Sequence, residues 1–219
     1  GASTGIGAET ARQAVSAGYR VVLSARTPSK LQALAGELGG PDKVLTVDCD
    51  VTDWDSQNRM FAAALGAFGQ IDAVFANAGI GASAMGTENG DPDNFRDMIL
   101  TNTLGVAYTA KLAIPELKKT TGHLLITGSR AGRVTLNGSV YGATKWFVTG
   151  YGQNLAQEVA GTGVRVTLIE PGMVDTPFFD EPKPKALKAE DVAGAVMYAL
   201  SQPPHVHVSE ILMVPTPKD

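Results

Sequence analysis

Tyr141 and Lys145 stand four residues apart in the stretch Tyr141-Gly142-Ala143-Thr144-Lys145. On a helix that spacing puts both side chains on one face, within reach of each other. The chemistry open to such a pair is proton transfer. A phenol that titrates near pH 10 is only about 0.1% ionised at neutral pH, and a neighbouring ammonium lowers that pKa by favouring the phenolate. Each unit of lowering corresponds to about 1.4 kcal/mol, so a few units would poise Tyr141 as a general acid or base. Ser129 follows the apolar run Leu124 to Thr127, where its hydroxyl can hold a substrate oxygen. Asn102 lies inside a helical pattern, and an amide is an indifferent helix former unless it has a specific task. Asn77-Ala78-Gly79 follows another apolar run.

A second chemistry is suggested by Gly1-Ala2-Ser3-Thr4-Gly5-Ile6-Gly7. Glycines that open a helix let backbone N–H groups and the positive helix end approach a pyrophosphate. The spacing is not G-x-G-x-x-G, and a P-loop is excluded because Gly7 is followed by Ala8 and Glu9 rather than Lys and Ser or Thr. A dinucleotide site also reads the adenosine ribose at the end of the second strand, with an acid for a free 2′-hydroxyl or a base for a 2′-phosphate. The stretch Ser24 to Lys30 contains no carboxylate, whereas Arg26 offers a planar fork of donors. NADP(H) is therefore the expected cofactor and NAD(H) the other possibility. The alternative for Arg26 is a solvated loop charge.

The elements that must position these residues alternate. Short apolar runs at Arg20 to Ala25, Val44 to Val47, Ile71 to Ala76, Leu124 to Thr127, Val166 to Ile169 and Ile211 to Val214 read as buried strands. Between them lie helical patterns from Ala8 to Val15, Lys30 to Leu38, Asp53 to Phe68, Phe95 to Leu117, Tyr141 to Val159 and Asp191 to Leu200, with Gly18, Gly39 and Gly69 at helix ends. Strands that are apolar throughout require cover on both faces. The expected fold is α/β, a doubly wound parallel sheet of the Rossmann type, with six strands visible and a seventh expected before Gly1. Nothing divides the chain, so residues 1–219 read as one dinucleotide-binding and catalytic domain.

Composition narrows the partners. The chain carries a formal charge of −4, which leaves no basic field to attract nucleic acid or anionic lipid. No transmembrane run or leader is visible, and Cys49 is the single cysteine, which fits a reducing, cytoplasmic setting. The partner expected is a small carbonyl or alcohol substrate.

Taken in order, these motifs resemble the classical short-chain dehydrogenase/reductase family from Gly1 to at least Thr176. The glycine loop, with Gly1, Ser3, Gly5, Ile6 and Gly7, resembles the family's TGxxxGIG motif without its leading Thr. Asp50-Val51 resembles the adenine-contacting pair, and Asn77-Ala78-Gly79 the NAG motif. Asn102, Ser129, Tyr141 and Lys145 match the tetrad, and Pro171-Gly172 with Val174 and Thr176 the segment beside the nicotinamide. The resemblance implies hydride transfer between nicotinamide and a carbonyl or alcohol carbon. Tyr141 would exchange the proton, Lys145 bind the ribose, Ser129 polarise the substrate oxygen, and Asn102 hold a relay water. It also implies a homotetramer or homodimer built on the helices bearing Asn102 and Tyr141. The apolar residues Trp146, Phe147 and Tyr151 point to the same association, because they exceed what one sheet contact covers.

Thr4 departs from the Lys or Arg of some NADP-preferring members, and the substrate loop, about 173–189, is shorter than is usual. Ser201 to Val208 resembles the tail of the NADP-dependent 3-hydroxy acid dehydrogenase branch. Arg130 either attracts an acidic substrate, points to solvent or pairs with a carboxylate. Phe178 and Phe179 form either a lid or ordinary packing. His205 and His207 lack a third metal ligand, so no metal is expected, and His123 reads as a sheet-edge residue. Ser129 lacks the G-x-S-x-G elbow of a hydrolase. A dinucleotide-binding sensor without turnover is the rival from another class, and an epimerase of the extended branch would need a larger C-terminal region.

Overall fold

The computed structural model describes residues 1–216. Its helices are α1 (Gly5–Ser16), α2 (Pro28–Glu37), α3 (Trp54–Phe68), α4 (Pro92–Ile99), α5 (Gly105–Thr120), α6 (Val140–Glu158) and α7 (Ala189–Ser201). The strands are β1 (Val21–Ala25), β2 (Val44–Asp48), β3 (Ala73–Ala76), β4 (His123–Thr127), β5 (Arg165–Pro171), β6 (Val174–Asp175), β7 (Leu187–Lys188) and β8 (Glu210–Met213). All pairings are parallel.

Strand β4 shows why the sheet is covered on both sides. Leu124 and Ile126 pack with Val106, Ala110 and Leu117 of α5 and Val148 and Leu155 of α6. Leu125, pointing the other way, packs with Ile169 of β5 and Val192 and Val196 of α7. Successive side chains of a strand face opposite sides, so an apolar run of this kind needs helices on both faces. The fold is the expected Rossmann-like α/β arrangement. Among the described residues no helix is long and apolar enough to cross a membrane.

The strands form a β1-β2 ladder and a β3-β4-β5-β8 ladder, and three features differ from the sequence expectation. The facing edges of β1 and β3 border a cavity of about 470 Å³ lined by Val21, Leu23, Val74 and Phe75 among others. Gly1 bridges the two ladders: the Gly1 nitrogen and the Ala2 N–H donate to the Ser24 carbonyl, and the Gly1 carbonyl accepts from Asn77 Nδ2. The strand expected before Gly1 lies outside the described residues. The helix expected over 95–117 is interrupted by a π turn at Leu100–Leu104. The stretch 173–189 is not all loop, since β6 and β7 pair within it.

His123, finally, is interior rather than at a sheet edge, because β4 lies between β3 and β5. It is 1% exposed, with Nε2 2.7 Å from Thr167 Oγ1. Burial, reinforced by Arg165 and His207, pushes its pKa down to about 3. The fold thus holds neutral imidazole, whereas an unfolded chain takes up a proton near pH 6.5. The associated stability is present above 6.5 and is lost as pH falls from 6.5 toward 3, about 2 kcal/mol of it by pH 5. Urea midpoints at pH 7 and pH 5 check this. His123→Asn should flatten the difference, and an unchanged difference in the variant would contradict the assignment.

Candidate active site

The carboxyl ends of β4 and β5 bring the first residues together. Ser129 caps a 3₁₀ turn, Arg130–Gly132, by accepting from the Ala131 N–H at 3.0 Å, and its hydroxyl donates to the Pro171 carbonyl at 3.4 Å. A Cβ on Gly132 would lie 2.5 Å from the Lys145 carbonyl oxygen, so glycine here lets the turn press directly on α6. That helix starts where Ser139 accepts from the Gly142 N–H at 2.9 Å, which places Tyr141 and Lys145 in its first two turns with their side chains toward the turn.

Lys145 is 5% exposed and donates from Nζ to the Thr127 carbonyl at 2.9 Å. Burial lowers its pKa to about 8, which leaves it mostly an ammonium at neutral pH. Burial raises the pKa of Tyr141, against a smaller opposite pull from the Ser129 hydroxyl. The expected lowering by Lys145 is therefore absent: Nζ lies 5.8 Å from the Tyr141 ring centroid and points to Thr127, so desolvation wins. In this state Tyr141 keeps its proton.

Asn102 occupies the π turn and is 1% exposed. Its Oδ1 accepts from the Ile80 N–H and its Nδ2 donates to the Ile80 carbonyl, both at 2.9 Å, with a further bond to Thr144 Oγ1 at 3.1 Å. The amide thereby ties the segment after β3 to α6. Gly79 is wedged between the two groups, since a Cβ there would lie 3.3 Å from Asn102 Oδ1 and 3.9 Å from Lys145 Nζ.

The glycine loop packs beside this cluster. A Cβ on Gly1 would lie 2.8 Å from the Ala78 nitrogen, and one on Gly7 2.0 Å from the Gly1 carbonyl oxygen. Gly5 has φ +56 and faces Thr176, a backbone conformation that L side chains rarely adopt. Asn77 accepts from Thr127 Oγ1 at 2.9 Å. Asp50 Oδ1 accepts from the N–H and hydroxyl of Thr52, while Gln57, fully buried, donates to the Val51 and Gly105 carbonyls.

One cleft of about 450 Å³ runs through these groups. It is lined by Gly1, Ser3, Gly5, Ile6, Arg26, Asp50, Val51, Asn77, Ala78, Gly79, Ser129, Tyr141, Lys145, Pro171, Gly172, Val174 and Thr176. Gly7 borders the neighbouring cavity, and Asn102 sits behind the wall. Arg26 is exposed and has no ion pair among the described residues. Ile80, Gly81, Thr127, Gly128 and Thr27 also line the cleft, each adjacent to a motif that the sequence does mark.

Sequence reasoning missed a charged brace under the Ser129 turn. Glu170, 1% exposed on β5, accepts from Arg133 Nε at 2.9 and 3.0 Å and from Thr149 Oγ1 at 2.8 Å. Arg133 also pairs with Glu210 of β8, which Gln153 of α6 holds at 2.9 Å. The arginine that meets carboxylates is thus Arg133, not Arg130, which is exposed. His207 contacts the Val166 carbonyl at 2.7 Å.

The family model described as short chain dehydrogenase matches residues 1–186. An uncharacterized oxidoreductase of Staphylococcus aureus is 40% identical over 98% of this chain and 94% of its own length. The closed form of a serine dehydrogenase complexed with NADP+ superposes with a TM-score of 0.90 at 31% identity, over 98% of this chain and 92% of that one. An alcohol dehydrogenase of the archaeon Thermococcus sibiricus, complexed with 5-hydroxy-NADP, also gives 0.90, at 33% identity over 100% and 97%. With its glycine loop, Ser129, Tyr141 and Lys145 lining one cleft, the chain belongs to the short-chain dehydrogenase/reductase family and is an NAD(P)-dependent oxidoreductase.

Proposed function

We propose that this protein uses NADP(H) to interconvert a carbonyl compound and the corresponding secondary or primary alcohol, with Tyr141 as general acid and base. The observation that carries the reading is the continuity of one cleft from Arg26, past the glycine loop, to Ser129, Tyr141 and Lys145. The glycines at the start of α1, packed too closely for a Cβ at Gly1 and Gly7, keep side chains out of the place where a helix N-terminus meets a pyrophosphate. Pro171, Gly172, Val174 and Thr176 would flank the nicotinamide, and Asp50 and Val51 the adenine, all of them in the lining of that cleft. Among the described residues Lys145 has a single acceptor, Thr127, and its other donors would serve the ribose hydroxyls. When bound, the cofactor supplies or accepts the hydride. Ser129 holds the substrate oxygen, and Tyr141, whose raised pKa keeps it protonated, donates the proton during carbonyl reduction. Asn102 fixes the Ile80 backbone and borders a proton path from Lys145. Residues 1–219 act as one domain, and segment 173–189 covers the substrate.

Arg26 supports the choice of NADP(H), because it stands exposed at the end of β1 with no carboxylate to occupy it. A charge-assisted contact of this kind corresponds to about 10–100-fold in affinity. The wild type is expected to show higher kcat/KM with NADPH than with NADH, and Arg26→Ala to narrow that ratio by about 10–100-fold. A wild type that favours NADH would refute the assignment. The reading as a whole is tested by NADPH oxidation over a panel of aldehydes, ketoacids, ketoacyl thioesters and cyclic ketones. Cofactor binding without oxidation of NADPH by any of them would leave the sensor reading in its place. Trp146 and Phe147 on α6, 51% and 41% exposed, support homo-oligomer formation through that helix, in a cytoplasmic protein.

A further inference from the structure

Three charged side chains line the cleft: Arg26, Asp50 and Lys145. Arg26 and Asp50 lie at the end assigned to the adenosine, and Lys145 is buried beneath Tyr141 with its Nζ on Thr127. The same lining includes the uncharged Ile80, Gly81, Pro177, Phe178 and Phe179, with Phe178 43% exposed, and the Ser129 hydroxyl. The segment over the mouth carries Asp175, Asp180 and Glu181 against Lys183, Lys185 and Lys188; these balance, and none of the six lines the cleft. Lys183, over the Phe179 ring at 5.7 Å, pairs with Glu181. Arg130, although next to Ser129, is exposed and outside the lining.

Phe178 shapes this apolar end. Its ring rests on the backbone of Gly81, where a Cβ would lie 2.9 Å from Cε1 and Cζ. The ring centroid is 6.0 Å from that of Tyr141 at an interplanar angle of 56°, and Phe179 meets it edge-on at 5.3 Å. A carbonyl carbon in reach of the Tyr141 hydroxyl, about 3–3.5 Å away, can lay one substituent against Phe178, whose ring is the aromatic neighbour of Tyr141. Aromatic faces favour offset or tilted stacking with flat rings, and Phe178, 43% exposed, has ring face left to offer, whereas Lys145, the cation beside Tyr141, is held on the Thr127 carbonyl.

We propose that the site selects small uncharged carbonyl compounds with a flat aryl substituent, and that Phe178 seated on Gly81 is the residue pair that makes the selection. This rests on the NADP(H)-dependent carbonyl reductase reading above. In the reaction the carbonyl carbon gains a hydride from NADPH, its oxygen gains the Tyr141 proton, and alcohol and NADP+ leave.

The test compares matched substrates in NADPH oxidation: methyl benzoylformate against benzoylformate for charge, and benzaldehyde against cyclohexanecarbaldehyde for flatness. The ester is expected to exceed the acid in kcat/KM, because the one cation lining the cleft beside Tyr141 is already held by Thr127, and the aryl aldehyde to exceed the cyclohexyl one by about three- to tenfold. Phe178→Ala should bring the second ratio toward one. Gly81→Ala, which displaces the ring, should shift it the same way, so the conclusion does not hang on one variant folding. Turnover that favours the acid, or an aryl ratio unmoved in both folded variants, would overturn this selection while leaving the reductase reading intact. No oxidation with any carbonyl would overturn both.

Discussion

Tyr141→Phe is expected to lower kcat by about 10²–10⁴-fold, the span that a positioned proton donor contributes, while NADPH affinity and thermal midpoint stay near the wild-type values. The separation follows from where the atoms lie. The ring packs against Phe178, and Phe keeps that contact. The hydroxyl is the atom lost, and its protein neighbour is Ser129, which retains its own bonds to the Ala131 N–H and the Pro171 carbonyl. Steady-state NADPH oxidation, NADPH fluorescence titration and a melting curve together separate chemistry from binding and folding. A variant that turns over at the wild-type rate would remove Tyr141 from the mechanism.

The second large effect concerns stability. Arg133→Met strands the Glu170 carboxylate, which is 1% exposed and has lost all but its Thr149 donor. Removing one partner of a buried ion pair costs about 3–5 kcal/mol, equivalent to a fall of about 6–20 °C in Tm for a chain of this size. Glu210, on the same arginine, is 31% exposed at its side chain, and Glu210→Gln should cost no more than about 1 kcal/mol. Urea unfolding of the two variants gives the comparison. Equal losses would show that burial of Glu170 is not what makes the brace costly to break.

Legibility from sequence followed the range of the interaction. Strands β4 and β5 were readable because a run buried on both faces is mostly apolar, as at Leu124 to Ile126 and at Val166, Leu168 and Ile169. Gly69 marked the end of α3 because that position has φ +80. The start of α4 is written in Asp91-Pro92, a side-chain cap followed by a residue suited to the first turn, which apolar period alone does not register. The π turn was not readable, since apolar spacing on either side of it stays helical. Nor was the brace, because Arg133 and Glu170 are joined only by the return of the chain through α6. The direction of the Tyr141 shift is of the same kind: spacing brings a cation near but cannot register the burial that outweighs it.

The π turn that presents Asn102 has a consequence for how such a site changes over generations. A π turn holds one residue more than the α turn it interrupts, while Val106, Ala110 and Ala113 beyond it keep their own buried stripe. Loss of one codon between 100 and 104 would restore an ordinary helix and turn the amide away, with the sheet-facing side of α5 still in phase. The amide contacts to Ile80 and Thr144 are thus written in a turn distinct from the apolar stripe that packs α5, and sequence change can act on either one by itself.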